Sequence, residues 1–209
     1  MTDGILGVVL AGGRAARFGA DKALAVLGGR TLLERVCERS APQVDQLMVN
    51  RSGCAAGALP VRCALLSDDH PSQGPLAGVL TALSYAATHG YARVATFPCD
   101  TPFLPPDLVS RMSAMSEGNN VDLCTARRGC EEHHVFSLWQ IECRSALAQA
   151  FAGGLRSIKS SVNFVSRRVV DFPLAGDGPG GDAFFNINTI DDLETAEDWL
   201  KSRSCARVE

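Results

Sequence analysis

The sequence has no long apolar run and no long basic run, and each absence excludes a class of protein. No apolar stretch approaches the ~20 residues that a transmembrane helix needs, so we expect no membrane span. A net charge of −3, with scattered basic residues, argues against a surface that coats nucleic acid. Residues 2–4 lack the basic segment that opens a signal peptide. We therefore expect a cytoplasmic protein that binds neither membranes nor nucleic acid.

The sequence also lacks cysteine pairs at the spacing of metal-binding motifs, although it has eight cysteines. None forms a Cys-x-x-Cys pair, which argues against a structural zinc site, and without an export signal we expect no disulfide framework. Adjacent residues of a strand point to opposite faces, so His133 and His134 do not form a metal pair. We interpret the cysteines mainly as small buried hydrophobic residues; Cys99 could have another role, but we favour packing for it as well.

What the chain does contain is an alternation of short apolar runs and helical patterns. With 209 residues, of which 46% are hydrophobic, it can build one domain with a substantial core. The alternation through residue 120 predicts βαβ units on a parallel sheet. Further strands are predicted at 121–125, 134–138, 167–172 and 184–187. The fold class is therefore α/β with a mostly parallel central sheet.

The first predicted strand leads into a glycine-rich, basic segment. Residues 5–10 form an apolar run that Gly12 and Gly13 end. The cations that follow are Arg14, Arg17 and Lys22. Glycines let backbone N–H groups approach an anion and cations neutralise it, so the segment predicts a polyphosphate cradle. The spacing fits neither a Walker A loop nor a dinucleotide fingerprint. The alternative is a surface turn with solvated basic residues.

Polar side chains end three other predicted strands. Asn50, Asp68 and Asp100 each follow an apolar run, and ligands of open α/β sheets bind beyond the carboxyl ends of the strands. Asp100 could hold Mg²⁺, which takes one or two protein carboxylates and completes its shell with phosphate and water. Asp68 could accept two hydrogen bonds from guanine, and Asn50 could contact base or ribose. Each of the three could instead stabilise its own turn.

Short motifs, spread in order over nearly the whole chain, carry a family resemblance. They are Leu-Ala-Gly-Gly at 10–13, Arg-Phe-Gly at 17–19, Asp-Lys at 21–22, Gly-Pro-Leu-Ala-Gly at 74–78, Pro-Cys-Asp-Thr-Pro-Phe-Leu-Pro at 98–105 and Asn-Ile-Asn-Thr at 186–189. In these motifs the chain resembles the molybdenum cofactor guanylyltransferases, a family within the Rossmann-like nucleotidyltransferases. The related cytidylyltransferases have Leu-Ala-Ala-Gly in the first motif, so the second glycine favours guanine.

The resemblance implies a three-layer Rossmann-like nucleotidyltransferase fold and roles for several residues. It places GTP against Leu10, Ala11, Gly12, Gly13, Lys22, Asn50, Asp68, Gly74, Pro75, Leu76, Gly78 and Asp100. Asp100 would also ligate Mg²⁺, and Lys22 and Arg17 would act with it in catalysis. Asn186 and Asn188 would contact the acceptor.

Two positions depart from the family pattern. Phe18 stands where methionine is common, a change that we interpret as packing. His133-His134-Val135 stands where we expect His-Pro, so the resemblance leaves the roles of both histidines, including contacts to the pterin, open. The glycine-rich loop at 176–181 could cover the acceptor, but we favour a mobile hairpin.

The reaction implied by the resemblance is transfer of GMP from GTP to the terminal phosphate of molybdopterin, with release of pyrophosphate. Residues 1–209 would form a single nucleotidyltransferase domain, with a nucleotide-binding half at 1–120 and an acceptor-binding half at 121–209. Cofactor-insertion proteins and molybdoenzymes are candidate partners. Two alternatives stay open. One is another nucleotidyltransferase of this fold that takes CTP or a sugar phosphate, and the other is a non-catalytic nucleotide-binding module in cofactor delivery.

Overall fold

The computed structural model describes residues 4–12, 21–51, 61, 63–67, 73–118 and 120–205. The sequence predictions for Gly13, Arg17, Phe18 and Asp68 lie outside these ranges. The strands are β1 (Ile5–Leu10), β2 (Val26–Leu27), β3 (Arg30–Thr31), β4 (Gln46–Asn50), β5 (Ala64–Leu66), β6 (Arg93–Pro98), β7 (Leu123–Arg128), β8 (Glu131–Gln140) and β9 (Arg167–Phe172).

Six α-helices are present among the described residues. They are α1 (Leu32–Ser40), α2 (Pro75–His89), α3 (Leu108–Ser116), α4 (Arg144–Ala152), α5 (Ile158–Ser161) and α6 (Ile190–Cys205). Short 3-10 turns lie at Lys22–Leu24, Ala41–Gln43, Ile141–Cys143, Val162–Phe164 and Pro179–Gly181. No helix within these ranges has both the length and the apolar character needed to cross a membrane.

The main sheet has seven strands in the order β5-β4-β1-β6-β8-β7-β9. Strand β8 is antiparallel to both of its neighbours, β6 and β7, whereas the other pairs are parallel. Six strands therefore run in one direction, which confirms the predicted mostly parallel sheet. Strands β2 and β3 form a separate small hairpin.

Helices cover both faces of this sheet because side chains along a strand alternate between the two faces. On β1, Val9 joins the core cluster that includes α1 and α3. Its neighbour Val8 joins the opposite cluster, built with α2, α4 and α5. A third, smaller cluster packs α6 against the β2–β3 hairpin and Phe103. The result is the predicted three-layer arrangement.

The helix starts follow from local hydrogen bonds. Thr31 and Glu34 form a capping box at the start of α1: the hydroxyl of Thr31 accepts from the Glu34 N–H at 3.2 Å, and the Glu34 carboxylate accepts from the Thr31 N–H at 2.6 Å. Pro75 occupies the first turn of α2, where no N–H is needed. These signals fix the two helices that border the carboxyl edge of β1 and β4.

The predicted strand at 184–187 is wrong. Phe184 and Ile187 are buried, but their N–H groups bond outside any ladder. The Phe184 N–H donates to the carboxylate of Asp182 at 2.8 Å, and the Ile187 N–H donates to the carbonyl of Asp100 at 3.0 Å. This irregular segment is therefore anchored directly beside Asp100.

The glycine-rich loop at 176–181 makes hydrogen bonds and ion pairs to its surroundings, and both its mobility and its covering of the acceptor stay predictions. The Gly176 N–H donates to the Gly181 carbonyl at 2.7 Å, and Pro179 is buried. The carboxylate of Asp177 accepts from Arg39 at 3.1 Å and also pairs with Arg203. These contacts tie the loop to α1 and α6.

Candidate active site

Four of the predicted site residues, Leu10, Gly12, Asn50 and Asp100, lie at one edge of the sheet. β1 pairs in parallel with β4 and with β6, so that Leu10 is opposite both Asn50 and Pro98. The carboxyl ends of these strands therefore coincide, and Gly12 and Asp100 follow them directly. Asp68 also follows a strand at this edge in sequence, but it lies outside the described residues. This is the edge at which open α/β sheets bind ligands.

The Lys22 ammonium is the centre of a polar cluster at this edge. Its Nζ lies 2.6 Å from Asp100 Oδ2, 2.6 Å from Asn188 Oδ1 and 3.4 Å from Asn186 Oδ1. The Lys22 and Asp100 side chains are only 14% and 19% exposed. Three side chains, one from the middle of the chain and two from its last quarter, thus converge on this one cation. The structure brings together the two predicted catalytic residues and both predicted acceptor residues that it describes.

The Asp100 carboxylate is held from both sides. Its Oδ2 meets Lys22, and its Oδ1 accepts a hydrogen bond from the buried Thr101 hydroxyl at 3.3 Å. Its backbone carbonyl accepts from the Ile187 N–H at 3.0 Å. Asp100 therefore sits in a fixed position, because both its side chain and its backbone are bonded to neighbouring segments.

The glycines predicted to bind the nucleotide have two different surroundings. Among the described residues, no atom lies within 4 Å of the position that a Cβ on Gly12 would take. Gly74 instead has a φ of +91°, and a Cβ on it would lie 2.9 Å from the Arg156 carbonyl. That position requires glycine because of both backbone conformation and close approach.

Asn50 and Gly78 pack against each other. Asn50 is buried, its Nδ2 donates to the Leu66 carbonyl at 3.2 Å, and its Oδ1 occupies the space that a Cβ on Gly78 would need. Leu76 is fully buried, so its side chain belongs to the core. Asn50 and Gly78 thus shape this part of the site by packing against each other. Direct contacts of these two residues with the nucleotide stay a prediction.

Comparison with known proteins places the chain in a family. Residues 7–165 match the model of the MobA-like NTP transferase domain. A molybdenum cofactor guanylyltransferase from Sinorhizobium fredii is 39% identical over 203 residues, covering 92% of this chain and 90% of the relative. Another, from a Bradyrhizobium species, is 37% identical over 203 residues, covering 94% and 93%. The chain belongs to the molybdenum cofactor guanylyltransferase family.

Solved structures agree on the fold of this family member. Molybdopterin-guanine dinucleotide biosynthesis protein A from Archaeoglobus fulgidus matches with a TM-score of 0.73 at 24% identity, over 94% of this chain and 99% of that one. A CMP:2-keto-3-deoxy-manno-octonic acid synthetase complexed with CTP matches with a TM-score of 0.71 at 13% identity, over 96% and 99%. The predictions of a nucleotidyltransferase and of a Rossmann-like nucleotidyltransferase fold are confirmed.

Asp192 holds the backbone that carries Asn188, one of the Lys22 partners, and the sequence analysis missed it. Its carboxylate accepts from the N–H groups of Asn188 at 2.9 Å and Thr189 at 2.8 Å, while the Thr189 hydroxyl accepts from the Asp192 N–H at 3.1 Å. Burial raises the pKa of Asp192, but these hydrogen bonds outweigh burial and hold the pKa below its ordinary value. The Thr-x-x-Asp pattern before a helix is a capping signal that could have identified it.

Arg51 is a second residue that the sequence analysis missed. It pairs with Asp21, whose carboxylate also caps the 3-10 turn that carries Lys22 by accepting from the Ala23 N–H at 3.2 Å. Its Nη1 is buried and has no hydrogen-bond partner among the described residues. The available signal was a basic residue that directly follows the strand end at Asn50.

The cysteines give no indication of a nucleophile or a metal centre. Burial, and to a lesser degree the charge of Asp100, raise the pKa of Cys99 to about 12, so its thiol stays protonated at neutral pH. Cys37, Cys63, Cys99, Cys124, Cys130 and Cys143 are free thiols. Within the described ranges no three His, Cys, Asp or Glu side chains form a metal-binding group. The structure thus supports the packing interpretation of Cys99.

Proposed function

We propose that this chain transfers the GMP group of GTP to the terminal phosphate of molybdopterin, releasing pyrophosphate and forming a guanine dinucleotide. Its family membership supports the reaction. The observation that carries the proposal is the convergence of Lys22, Asp100 and Asn188 within 2.6 Å contacts at the carboxyl edge of the sheet. GTP and molybdopterin are the two substrates in this proposal.

The reaction places few demands on protein acids or bases. A phosphate monoester has its second pKa near ~6, so the acceptor phosphate is already mostly anionic at pH 7 and needs no general base. What the protein must supply is alignment of two anionic phosphate groups and compensation of their charge. The Lys22 ammonium supplies a positive charge, and the fixed side chains around it supply the alignment.

The nucleotide lies, in this proposal, over the open space at Gly12, with its base towards the wall formed by Asn50 and Gly78. Lys22 then neutralises the triphosphate and the departing pyrophosphate. Arg17, Gly13 and Asp68 are proposed to add to this site, as the sequence predicts. Residues 1–120 thus form the nucleotide half, and Asn186 and Asn188 present the acceptor from the second half.

The oxygen atoms around Lys22 fit Mg²⁺. One carboxylate and two amide oxygens surround a single cation position, now taken by the lysine ammonium. Mg²⁺ takes oxygen ligands and is held by one or two protein carboxylates together with substrate phosphates. Asp100 would hold the ion, which supplies positive charge to the phosphates when bound. The side-chain amide oxygens of Asn186 and Asn188 lie nearby, because both contact Lys22, which pairs with Asp100.

The experiment that tests the proposal measures pyrophosphate release from each of the four NTPs, with Mg²⁺, in the presence and absence of molybdopterin. We expect release from GTP alone among them, dependent on the acceptor. Release from CTP, or with a sugar phosphate as acceptor, would identify the related nucleotidyltransferase instead. Tight GTP binding without pyrophosphate release in the presence of molybdopterin would identify a non-catalytic binding module.

A further inference from the structure

A cavity of about 300 Å³ opens beside the transfer centre, on the side away from the proposed nucleotide site. Its wall includes Thr101, whose hydroxyl donates to Asp100, and Asn186, whose amide oxygen faces Lys22. The cavity is therefore continuous with the polar cluster. A larger groove of about 500 Å³ lies between α2 and α4, but none of the predicted site residues lines it.

The cavity exists because β8 departs from regular pairing. Thr125 of β7 is opposite Ser137, but the next residue, Ala126, is opposite His133, so residues 134–136 form a bulge. The β6–β8 ladder ends at the Thr96–Ser137 pair. Bulges next to active sites re-aim side chains, and this one separates β8 from the end of β6.

Two hydroxyl groups hold the bulge in place. The Thr96 hydroxyl donates to the Val135 carbonyl at 2.7 Å, and the Ser137 hydroxyl donates to the His134 carbonyl at 2.8 Å. Thr96 and Ser137 are both buried. Two of the carbonyls released from the ladder, those of His134 and Val135, thus have hydrogen-bond donors inside the protein, and the bulge is a built feature of the fold.

An aromatic cluster forms one wall of the cavity. The His133 ring is parallel to the Phe184 ring, with centroids 4.5 Å apart and an angle of 8° between the planes. Phe136 meets both rings edge-on. Phe184 covers one face of the His133 imidazole. A ligand in the cavity can therefore contact only the part of the ring that Phe184 leaves uncovered. Such a wall suits a flat aromatic ligand.

Two carboxylates belong to the same cavity. Glu131 has no hydrogen-bond or ion-pair partner within the described part of the chain, and Asp182 uses Oδ1 to accept from the Phe184 N–H at 2.8 Å and lies 3.3 Å from Arg128 Nε. Burial holds the pKa of His133 below its ordinary value, so the imidazole is neutral at pH 7. It therefore does not compensate the negative charges of the two carboxylates. Carboxylates accept only, so the matching ligand edge carries N–H donors.

We propose that this cavity binds the bicyclic aminopyrimidinone ring of the pterin acceptor, stacked on His133 and with its N–H and amino donors towards Glu131 or Asp182. The inference rests on the proposed function. Guanine offers the same donor edge, but the residues assigned to the nucleotide lie at β1, β4 and α2, on the other side of Asp100 in the strand order. The cavity volume suits a bicyclic ring better than a whole nucleotide.

The test is an equilibrium titration of pterin fluorescence with the full chain in the absence of nucleotide. Lumazine, in which an oxo group replaces the amino group of pterin, serves as the comparison ligand. We expect saturable pterin binding, weaker lumazine binding, and no displacement of pterin by GTP. H133A should weaken pterin binding about tenfold, as loss of one stacking platform does. E131Q should reduce the preference for pterin over lumazine.

His89 provides a matched control, because its ring is also stacked on an aromatic ring, that of Tyr85, at 3.7 Å on α2 outside the cavity. H89A should bind pterin as the parent chain does, and H133F should restore much of the affinity lost in H133A. GTP affinity, measured separately, should be unchanged in H133A.

Equal pterin affinity in H133A and the parent chain, displacement of pterin by GTP, or absence of saturable pterin binding would each overturn the inference. None of these results touches acceptor-dependent pyrophosphate release from GTP, which tests the proposed function on its own. Conversely, a chain that binds pterin in the cavity but never releases pyrophosphate would contradict the proposed function alone.

Discussion

Asn188 and Lys22 are 166 positions apart in the chain, yet 2.6 Å separates Asn188 Oδ1 from Lys22 Nζ. The same ammonium lies 2.6 Å from the Asp100 carboxylate. The lysine thus fills a set of oxygen ligands that a divalent cation would also suit. In the proposed function, binding of nucleotide and metal therefore has to move the Lys22 ammonium away from these oxygen atoms.

Replacing Lys22 with methionine tests two proposed effects of its ammonium group separately: neutralisation of the triphosphate and competition with a divalent cation. K22M should weaken GTP binding by more than ~1 kcal/mol, because a charge-assisted contact is lost. It should also strengthen Mn²⁺ binding in the absence of nucleotide, because Asp100 and the asparagines lose their competing cation. Calorimetry measures the first effect, and the free-ion signal in electron paramagnetic resonance measures the second.

Lys201 supplies the control for this change, since it pairs with Asp198 at 3.1 Å on the exposed side of α6. K201M should alter neither measurement. If K22M bound GTP like the parent chain, the assignment of the triphosphate to Lys22 would be wrong.

Changing Asp100 to asparagine keeps the size of the side chain and removes its charge. D100N should lower the rate of guanylyl transfer by at least about 100-fold, the order of magnitude expected when a group that stabilises transition-state charge is lost. It should also weaken Mn²⁺ binding to the protein, because the ion loses the one carboxylate among its proposed ligands. Circular dichroism should show the fold intact, because Thr101 and Ile187 still hold the segment.

D198N is the matched variant for Asp100, because it removes the carboxylate of an exposed Asp–Lys pair. It should transfer GMP at the parental rate. Parental turnover by D100N would contradict the metal assignment to this carboxylate.

Asp192 should act on the reaction through Asn188, since its carboxylate fixes the backbone on which that amide is carried. D192A should destabilise the protein by about 1 kcal/mol, as loss of a helix cap does. It should also lower kcat while leaving GTP affinity near the parental value. Denaturant unfolding, GTP calorimetry and steady-state kinetics measure the three quantities.

A purely structural role for Asp192 can be recognised with T31A, which removes the capping box of α1 away from the polar cluster. T31A should lose a similar amount of stability and keep the parental kcat. If both variants had the same kcat, Asp192 would be a helix cap and nothing more.

The strand ends were predictable from the sequence because they depend on local signals. An apolar run followed by Gly12, and another followed by Asp100, define where β1 and β6 stop. Parallel pairing then brings their carboxyl ends together without further information. The prediction that Lys22 lies at this edge also required the family resemblance. The segment before Lys22 has no hydrophobic periodicity from which its conformation could be predicted.

Contacts between distant segments explain what the sequence did not provide. The run at 184–187 has strand composition, but the Ile187 N–H is taken by Asp100, 87 positions earlier, so it joins no ladder. The bulge before Ser137 depends on Thr96, a residue of another strand. Pairwise contacts of this kind have no signature in a single sequence, and they shape both sides of the cavity that includes His133 and Asn186.

The two adjacent histidines should make the stability of the protein depend on pH in a defined range. Burial is the main cause that lowers the pKa values of His133 and His134 below their ordinary value of 6.5. The unfolded chain therefore binds protons at a higher pH than the folded chain does. The histidine contribution to the free energy of unfolding should not change with pH above this value. It should fall as the pH decreases below about 6.5.

Charged groups on the neighbouring elements oppose or add to this effect. Glu131 and Asp182 raise the pKa of His133, and Arg128 lowers it. Glu132 raises the pKa of His134, and Arg167 and Lys159 lower it. Since burial outweighs these charges in both cases, the direction of the pH dependence is set by desolvation.

Denaturant unfolding between about pH 5 and pH 8 measures the dependence. The double variant H133Q/H134Q should have a flatter profile than the parent chain in this range, because glutamine does not titrate. Carboxylates such as Asp192, whose pKa lies below its ordinary 3.8, lose their contribution only at more acidic pH. A slope that persisted in the double variant would show that groups other than these histidines take up the protons.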